Sequence, residues 1–154
     1  MLCGLGRGAD AKGPAMEIEQ LMNSIKIGNA TIDGEHRALF ECLGEINAHL
    51  GNKEGEKAFA VCQRLEEMFD DHFESEEEIL RTAGFPRLDG HIGMHEETRE
   101  SLRQVCMACR QVCRNNQTVT CLPDLIFVII DHCLRGDLDF KSHLQTVNMA
   151  NDND

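Results

Sequence analysis

The sequence predicts an all-α protein, an up-down antiparallel four-helix bundle with an N-terminal arm. Apolar residues recur at the 3.6-residue period of an amphipathic helix over most of the 154 residues, and no strand pattern competes outside the short arm. The breaks between the first three periodic segments are short, which favours antiparallel neighbours. The length is that of one domain.

Composition and periodicity divide the chain into four parts. These are a flexible leader (1–15), an N-terminal arm (16–32), the helical bundle (33–147) and a frayed tail (148–154). The leader holds four of the 13 glycines, and chain ends of this kind are usually poorly ordered. In the arm, Ile25, Ile27 and Ile32 are predicted to pack from an extended segment that bends at Gly28 and Asn29.

Start and stop signals bound the four predicted helices. Their predicted ranges are 33–50, 54–83, 87–115, and 123 into the 140s. Asp33 is the expected N-cap of the first helix, and Gly51-Asn52 ends it. Gly84-Phe85-Pro86 stops the second helix, and Pro123 suits the first turn of the fourth.

The apolar stripes of these helices carry polar residues at inward positions. They are His36 in the first helix, His72 and Glu76 in the second, His91 and His95 in the third, and His132 in the fourth. One histidine on such a stripe is usually an ordinary core residue. Five imidazoles converging with a carboxylate predict a metal site instead, because a buried carboxylate without a partner is very costly. His49 and His143, at the stripe edges, are interpreted as flank residues, and the acidic run 74–78 as a mostly solvated face apart from Glu76.

The fourth helix changes phase after His132. The next apolar positions are Phe140, Leu144 and Val147. One helical step back from Phe140 is Asp137, five residues after His132. Five residues turn an ordinary helix by about 500°, which is about 140° away from the inward face. A one-residue π-bulge near Gly136 would absorb the shift and turn Asp137 inward, and such bulges often mark functional sites.

The size of the ligand set narrows the choice of metal. Seven ligands exceed the four that a zinc site normally takes. Five imidazoles and two carboxylates fit two octahedral-leaning ions bridged by the carboxylates, and this donor set suits iron among other metals. No histidine follows a Glu by three residues and no His-Glu-x-x-His occurs, which excludes the ferritin-like di-iron and zincin patterns.

The eight cysteines are interpreted as reduced thiols in a cytoplasmic protein. Cys106, Cys109 and Cys113 could suggest a zinc site shared with His91 and His95. However, His95 lies eleven residues before Cys106, which is roughly 16 Å along one helix and too far for both to bind one ion. The spacing of the three cysteines is that of small core residues. The remaining core cysteines are predicted to be Cys42, Cys62, Cys121 and Cys133. A formal net charge of −12 argues against nucleic acid as a partner. No run of about 18 apolar residues predicts a membrane-spanning helix.

The ligand pattern resembles the hemerythrin family, in particular its bacterial branch. The resemblance lies in His36 within IDGEHRALF, in HFESE from His72 to Glu76, in HIGMH from His91 to His95, and in His132 with Asp137 five residues later. It covers about residues 25–147, and the 37-residue step from His95 to His132 is that of the bacterial branch. The chain departs from many bacterial members in having no Trp, and its eight Cys are many for the family.

The resemblance implies two Fe ions with a bridging oxo or hydroxo group. It implies that His91, His95 and His132 hold one iron, that His36 and His72 hold the other with an open position, and that Glu76 and Asp137 bridge. The expected function is reversible dioxygen binding for storage, transport or sensing, without enzymatic activity. The alternatives are a di-iron enzyme that reduces peroxide or nitric oxide, and a redox or iron sensor. A homo-oligomer or a redox partner protein stays open.

A dry apolar pocket around the irons would limit side reactions. Its expected wall residues are Phe40, Phe69, Phe73, Ile92 and Ile129.

Overall fold

A computed structural model describes residues 14–114 and 121–150, without the side chains of 14–18 and 112–114. Its helices are α1 (Pro14–Ser24), α2 (Ala30–Gly51), α3 (Gly55–Thr82), α4 (Leu88–Arg114), α5 (Leu122–Asp131), a π-helical segment (His132–Asp137) and α6 (Leu138–Thr146). The predictions for residues 1–13, for the connection at 115–120 and for residues 151–154 lie outside the described residues. Among those described, no helix is both long and apolar enough to cross a bilayer.

Four long helical segments form the bundle. α2 packs on α3 and α5, α3 packs on α4, and α4 packs on α5, while the π-helical segment and α6 continue the fourth segment. The predicted all-α bundle is confirmed, and it encloses two apolar clusters. One is built around Leu39, Phe69 and Leu125, and the other around Phe85 and Phe140. The polar inward residues of the sequence lie between these two clusters.

The N-terminal arm differs from its predicted extended form because α1 covers Pro14–Ser24. Leu21 and Met22 face the core and Ile25 is fully buried, which is the i, i+4 spacing of an amphipathic helix. The arm is non-helical only between α1 and α2, where Ile27 is also fully buried. The prediction of an extended arm is therefore wrong, since Pro14–Ser24 and the residues from Ala30 onward are helical, while the division between leader and arm stays a prediction.

The N-terminus of α2 lies three residues before the predicted one. Asn29 is the N-cap, and its side-chain oxygen accepts hydrogen bonds from the backbone N–H groups of Thr31 and Ile32. Asp33, the predicted cap, instead accepts hydrogen bonds from the backbone N–H groups of Ile27 and Gly28 at 2.8 and 2.9 Å. Its carboxylate thereby fixes the turn between the arm and the bundle.

The predicted π-bulge in the last helix is confirmed. The π-helical segment runs from His132 to Asp137, and both of these side chains are buried. The same extra residue keeps Phe140 and Leu144 fully buried beyond it. Val147, predicted to face inward, is 39% exposed because α6 ends at Thr146 and Val147 is its C-cap.

The structure pairs Cys109 with Cys121 in a disulfide, with the two Cα atoms 5.5 Å apart. The expectation of reduced thiols throughout is wrong for this pair. Cys109 lies on the inward face near the end of α4, and Cys121 lies beside it, just before α5. Helix periodicity could not reveal this pairing because it depends on the path of the connection. The free thiols of Cys42, Cys62, Cys106 and Cys133 are buried, as predicted; the side chain of Cys113 lies outside the described part.

Deleting Leu134, which is 47% exposed, should restore ordinary α-helical spacing between His132 and Asp137. We expect a loss of about 3 kcal/mol or more in the free energy of unfolding, because Asp137, Phe140 and Leu144 would all leave the inward face. Bound iron should be lost with it. Denaturant unfolding and metal analysis measure both, and L134A, which keeps the length, is the control. A deletion variant that still binds two irons would show that the π-helical segment does not place Asp137.

Reduction of the disulfide should lower the free energy of unfolding by about 3 kcal/mol, the value expected for a closed loop of this size. Unfolding by urea with and without a thiol reductant measures the effect. The C109A/C121A double variant is the control, since it should be insensitive to the reductant. Equal stability of the wild-type protein with and without reductant would contradict the pairing.

Candidate metal centre

The structure brings together all seven residues that the sequence singled out. His36 comes from α2, His72 and Glu76 from α3, His91 and His95 from α4, and His132 and Asp137 from the two ends of the π-helical segment. None of the seven is more than 3% exposed. We call this set the seven-residue cluster. Each of the four bundle segments contributes to it, so the site exists only in the assembled bundle.

Glu76 contacts three of the five imidazoles. Its Oε1 lies 2.5 Å from His91 Nε2 and 3.1 Å from His95 Nε2. Its Oε2 lies 3.4 Å from His72 Nε2. One carboxylate thus faces the rings of both α3 and α4.

Asp137 contacts the remaining two imidazoles. Its Oδ2 lies 2.9 Å from His36 Nε2 and 3.3 Å from His132 Nε2. His132 Nε2 also lies 3.0 Å from His72 Nε2. All five rings therefore turn the same nitrogen, Nε2, toward the two carboxylates, which is the arrangement of a ligand set.

Two overlapping groups of ligand atoms can be distinguished in the cluster. Glu76, His91 and His95 form one, and His36, His72, Glu76, His132 and Asp137 form the other. Glu76 belongs to both, as a bridging carboxylate would. His132 groups with His36 and His72 here, although its ring centroid is 5.4 Å from that of His95 and 5.2 Å from that of His72. It lies between the two groups, so its expected place beside His91 and His95 stays a prediction.

Burial favours the neutral form of three of the imidazoles, those of His91, His95 and His132. Desolvation, helped by neighbouring imidazoles, lowers the pKa of His95 to about 2 and, with Asp137 opposing, that of His132 to about 3. The pKa of His91 is lowered as well, again mainly by desolvation. A neutral imidazole offers a lone pair, which is the form that binds metal ions.

The two carboxylates respond to burial in opposite ways. Burial, followed by the charge of Asp137, raises the pKa of Glu76 well above its ordinary value. Burial would also raise the pKa of Asp137, but the neighbouring His132 and His36 hold it below its ordinary value. Without a cation, the cluster therefore keeps a proton on Glu76 beside an ionised Asp137.

Several buried polar atoms of the cluster have no hydrogen-bond partner among the described residues. They are both ring nitrogens of His36, Nδ1 of His91, Oε2 of Glu76 and both carboxylate oxygens of Asp137. Some lie close to one another without the alignment of a hydrogen bond, such as His36 Nε2 and Asp137 Oδ2. Unpaired buried polar groups are rare and costly. Metal ions bound to these nitrogen and oxygen atoms would satisfy most of them, so the residues present fit a di-metal group.

Aromatic rings close the cluster on both sides. Phe73 stacks on His95 with ring centroids 4.0 Å apart, and Phe69 lies 5.9 Å from the ring of His132. Phe40 and Ile129 are buried in the same apolar cluster, while Ile92 is only half-buried. The sequence analysis missed the opposite wall. There, Phe140 lies 5.2 Å and Phe85 6.5 Å from the ring of His91.

The histidines at the stripe edges lie outside the cluster, whereas two further glutamates contact it. His49 contacts Glu54 and His143 contacts the carbonyl oxygen of Ala83, so both lie outside the cluster as predicted. Glu77, assigned to a solvated face, is only 16% exposed and contacts His95 Nδ1. Glu35, not singled out from the sequence, contacts His72 Nδ1. Direct adjacency to a ligand in the sequence is the signal that could have pointed to both.

A four-helix bundle that buries histidines and carboxylates in this way belongs to the class of metal-binding helical bundles. The family model described as Hemerythrin HHE cation binding domain matches residues 27–143. The chain therefore belongs to the hemerythrin family.

Curated relatives are similar to the chain at lower coverage. A bacteriohemerythrin from Aquifex aeolicus is 30% identical over 80 residues, covering 52% of this chain and 61% of the relative. A myohemerythrin from Theromyzon tessulatum is 27% identical over 74 residues, covering 48% and 57%. A bacteriohemerythrin from Campylobacter jejuni is 26% identical over 88 residues, covering 54% and 64%. The matches span about three fifths of the length of these relatives. No solved structure matches the chain significantly.

The metal-free protein should lose stability as the pH falls below about 6.5. His95 and His132 have pKa values of about 2 and about 3 in the folded chain, so the unfolded chain takes up their protons first. Each can lower the free energy of unfolding by up to about 1.4 kcal/mol per pH unit in this window. Glu76, with its raised pKa, contributes a pH dependence of the opposite sign. We expect the imidazoles to outweigh it, because three of them have lowered pKa values.

Urea unfolding of the metal-free protein between pH 5 and pH 7 measures this slope. The H95Q variant should show a shallower slope than the wild type, since one of the depressed imidazoles is removed. A stability that stays level or rises as the pH falls from 6.5 to 5 would contradict the assignment of neutral, buried imidazoles.

Proposed function

We propose that the chain binds two iron ions in the seven-residue cluster and binds dioxygen reversibly there, for storage, transport or sensing. The observation that carries this proposal is the convergence of five Nε2 atoms on two buried carboxylates. Membership of the hemerythrin family supports it. The names of the relatives, bacteriohemerythrin and myohemerythrin, point the same way.

The proposal assigns a role to each member of the cluster. His91 and His95, with His132, would hold one iron, and His36 and His72 would hold the other. Glu76 and Asp137 would be shared by both ions, with an oxo or hydroxo group as the further ligand that the family implies. Glu76 supports this assignment most directly, because its two oxygens face His91 and His72 from opposite groups.

Two ferrous ions, when bound, supply the two electrons that dioxygen needs to bind reversibly. Burial favours the neutral form of His91, His95 and His132, so that the lone pairs of these rings are available without the loss of a proton. Phe73 and Phe140 exclude water from the two sides of the cluster. Exclusion of water limits proton delivery and hence irreversible oxidation.

The arrangement favours a binding protein over an enzyme. The two further carboxylates that touch the cluster, Glu35 and Glu77, contact the outer Nδ1 atoms behind the rings. Among the described contacts, the inner face of the cluster is formed by the seven residues and by aromatic rings. An enzyme that reduces peroxide or nitric oxide needs a proton donor on that inner face.

Anaerobic loading with ferrous iron should give two irons per chain, because the cluster supplies seven ligands. Exposure to air should then change the visible absorption spectrum, and removal of oxygen should restore it over repeated cycles. A spectrum that changes once and does not return would exclude reversible carriage. Sustained consumption of peroxide or nitric oxide above that of free iron would favour the enzyme.

Two glutamates in α3 provide a matched pair of variants for this experiment. The E76Q variant should lose most of its iron because it lacks the shared charge, while its metal-free form should stay folded, since a neutral amide suits the buried position. The E78Q variant is the control, because Glu78 is 69% exposed and pairs with Arg81 on the surface. Equal iron content in the two variants would refute the role of Glu76.

A further inference from the structure

Two carboxylates outside the seven-residue cluster touch its imidazoles from behind. Glu35 Oε2 lies 2.8 Å from His72 Nδ1, and Glu77 Oε1 lies 2.8 Å from His95 Nδ1. Glu35 belongs to α2 and Glu77 to α3, and each reaches a ring on the next helix of the bundle. The contacts thus join α2 to α3 and α3 to α4 at the level of the cluster.

We propose that Glu35 and Glu77 are positioning residues for the metal centre. They hold His72 and His95 in the tautomer that leaves the Nε2 lone pair facing the metal. They also make these two rings stronger electron-pair donors to the metal. This inference rests on the proposed function, because the tautomer affects function only through the binding of a metal by Nε2.

The chemistry follows from the two nitrogens of a neutral imidazole. One nitrogen carries the proton and the other carries the lone pair. When Nδ1–H donates to a carboxylate, the proton is fixed there and Nε2 is left free. The negative charge behind the ring also raises the electron density that Nε2 offers to a metal. Both effects act only if the carboxylate reaches Nδ1, which the 2.8 Å distances show for His72 and His95.

The geometry of the helices explains why these two glutamates can reach the rings. Consecutive residues in a helix point about 100° apart. Glu35 directly precedes the inward His36, and Glu77 directly follows the inward Glu76, so each points sideways toward a neighbouring helix. Their exposed fractions, 30% for Glu35 and 16% for Glu77, leave some contact with water. Partial contact with water reduces the cost of placing a carboxylate at either position.

The support is selective among the five rings. His36 and His91 have no hydrogen-bond partner at Nδ1 among the described residues. The pairs His36/His72 and His91/His95 therefore each contain one supported and one unsupported ring. By this arrangement, Glu35 influences the affinity and potential of the ion held by His36 and His72. Glu77 influences those of the ion held by His91 and His95.

The first arm of the test uses the metal-free protein and nitrogen-15 NMR of its histidine rings. The wild-type protein should show His72 and His95 protonated on Nδ1 alone. The E35A and E77A variants should lose this preference, each at its own ring only. The E35Q and E77Q variants should keep it, because the amide oxygen can still accept the hydrogen bond. Unchanged tautomers in both alanine variants would overturn the proposal whether or not the protein binds iron.

The second arm measures iron affinity and the midpoint potential of the iron-loaded protein. We expect the alanine variants to lose about 10- to 100-fold in affinity, the usual effect of removing an outer-shell partner of a metal ligand. The glutamine variants should keep most of the affinity but shift the potential upward, since loss of a negative charge favours the ferrous state. A purely structural role would leave the potential unchanged.

Matched controls come from exposed glutamates on the same helices, Glu41 in α2 and Glu74 in α3. The E41Q and E74Q variants should behave as the wild type in both arms. If the wild-type protein bound no iron, the proposed function would be refuted. The NMR measurement of the tautomers would still test whether Glu35 and Glu77 position the rings. If it bound two irons with the same affinity and potential in all variants, the positioning role alone would be refuted.

Discussion

The structure depends on one constraint, the burial of two carboxylates in the apolar interior of a four-helix bundle. Glu76 and Asp137 are fully buried, and an uncompensated buried charge is among the costliest features a fold can contain. Five imidazoles surround them, and burial favours the neutral form of three of these rings, those of His91, His95 and His132. A cation bound between the carboxylates would compensate their charge and would stabilise the folded chain. Folding and metal binding are therefore expected to be coupled.

The π-helical segment is the local adaptation that this constraint requires. An ordinary helix that directs His132 inward would direct Asp137 sideways, and the apolar residues after it would also leave the core. The extra residue keeps His132, Asp137 and Phe140 on one side. The cost of a locally poorer helix is offset by packing at Phe140 and by the contacts of Asp137 with His36 and His132.

The surroundings of the cluster control how its ligands behave. Phe73 and Phe140 cover it on the two sides, and the resulting desolvation favours neutral rings. Glu35 and Glu77 contact the rings from outside this apolar shell, where both keep partial contact with water. The inner sides of the rings are thus shielded from water, while the Nδ1 atoms of His72 and His95 contact carboxylates. The Cys109–Cys121 disulfide acts elsewhere, holding the end of α4 to the start of α5.

The sequence by itself determined the bundle and its inward residues, because helical periodicity fixes which side chains share a face. It therefore predicted all seven members of the cluster, including Asp137, whose position follows from the phase break. The tertiary structure decided what depends on the neighbouring helix or on the path of a connection. Asn29 replaced Asp33 as the N-cap because Asp33 bonds back to the arm. Cys121 pairs with Cys109 because the start of α5 packs beside the end of α4. Glu35 and Glu77 reached His72 and His95 across helix interfaces, and periodicity within a single helix carries no information about such contacts.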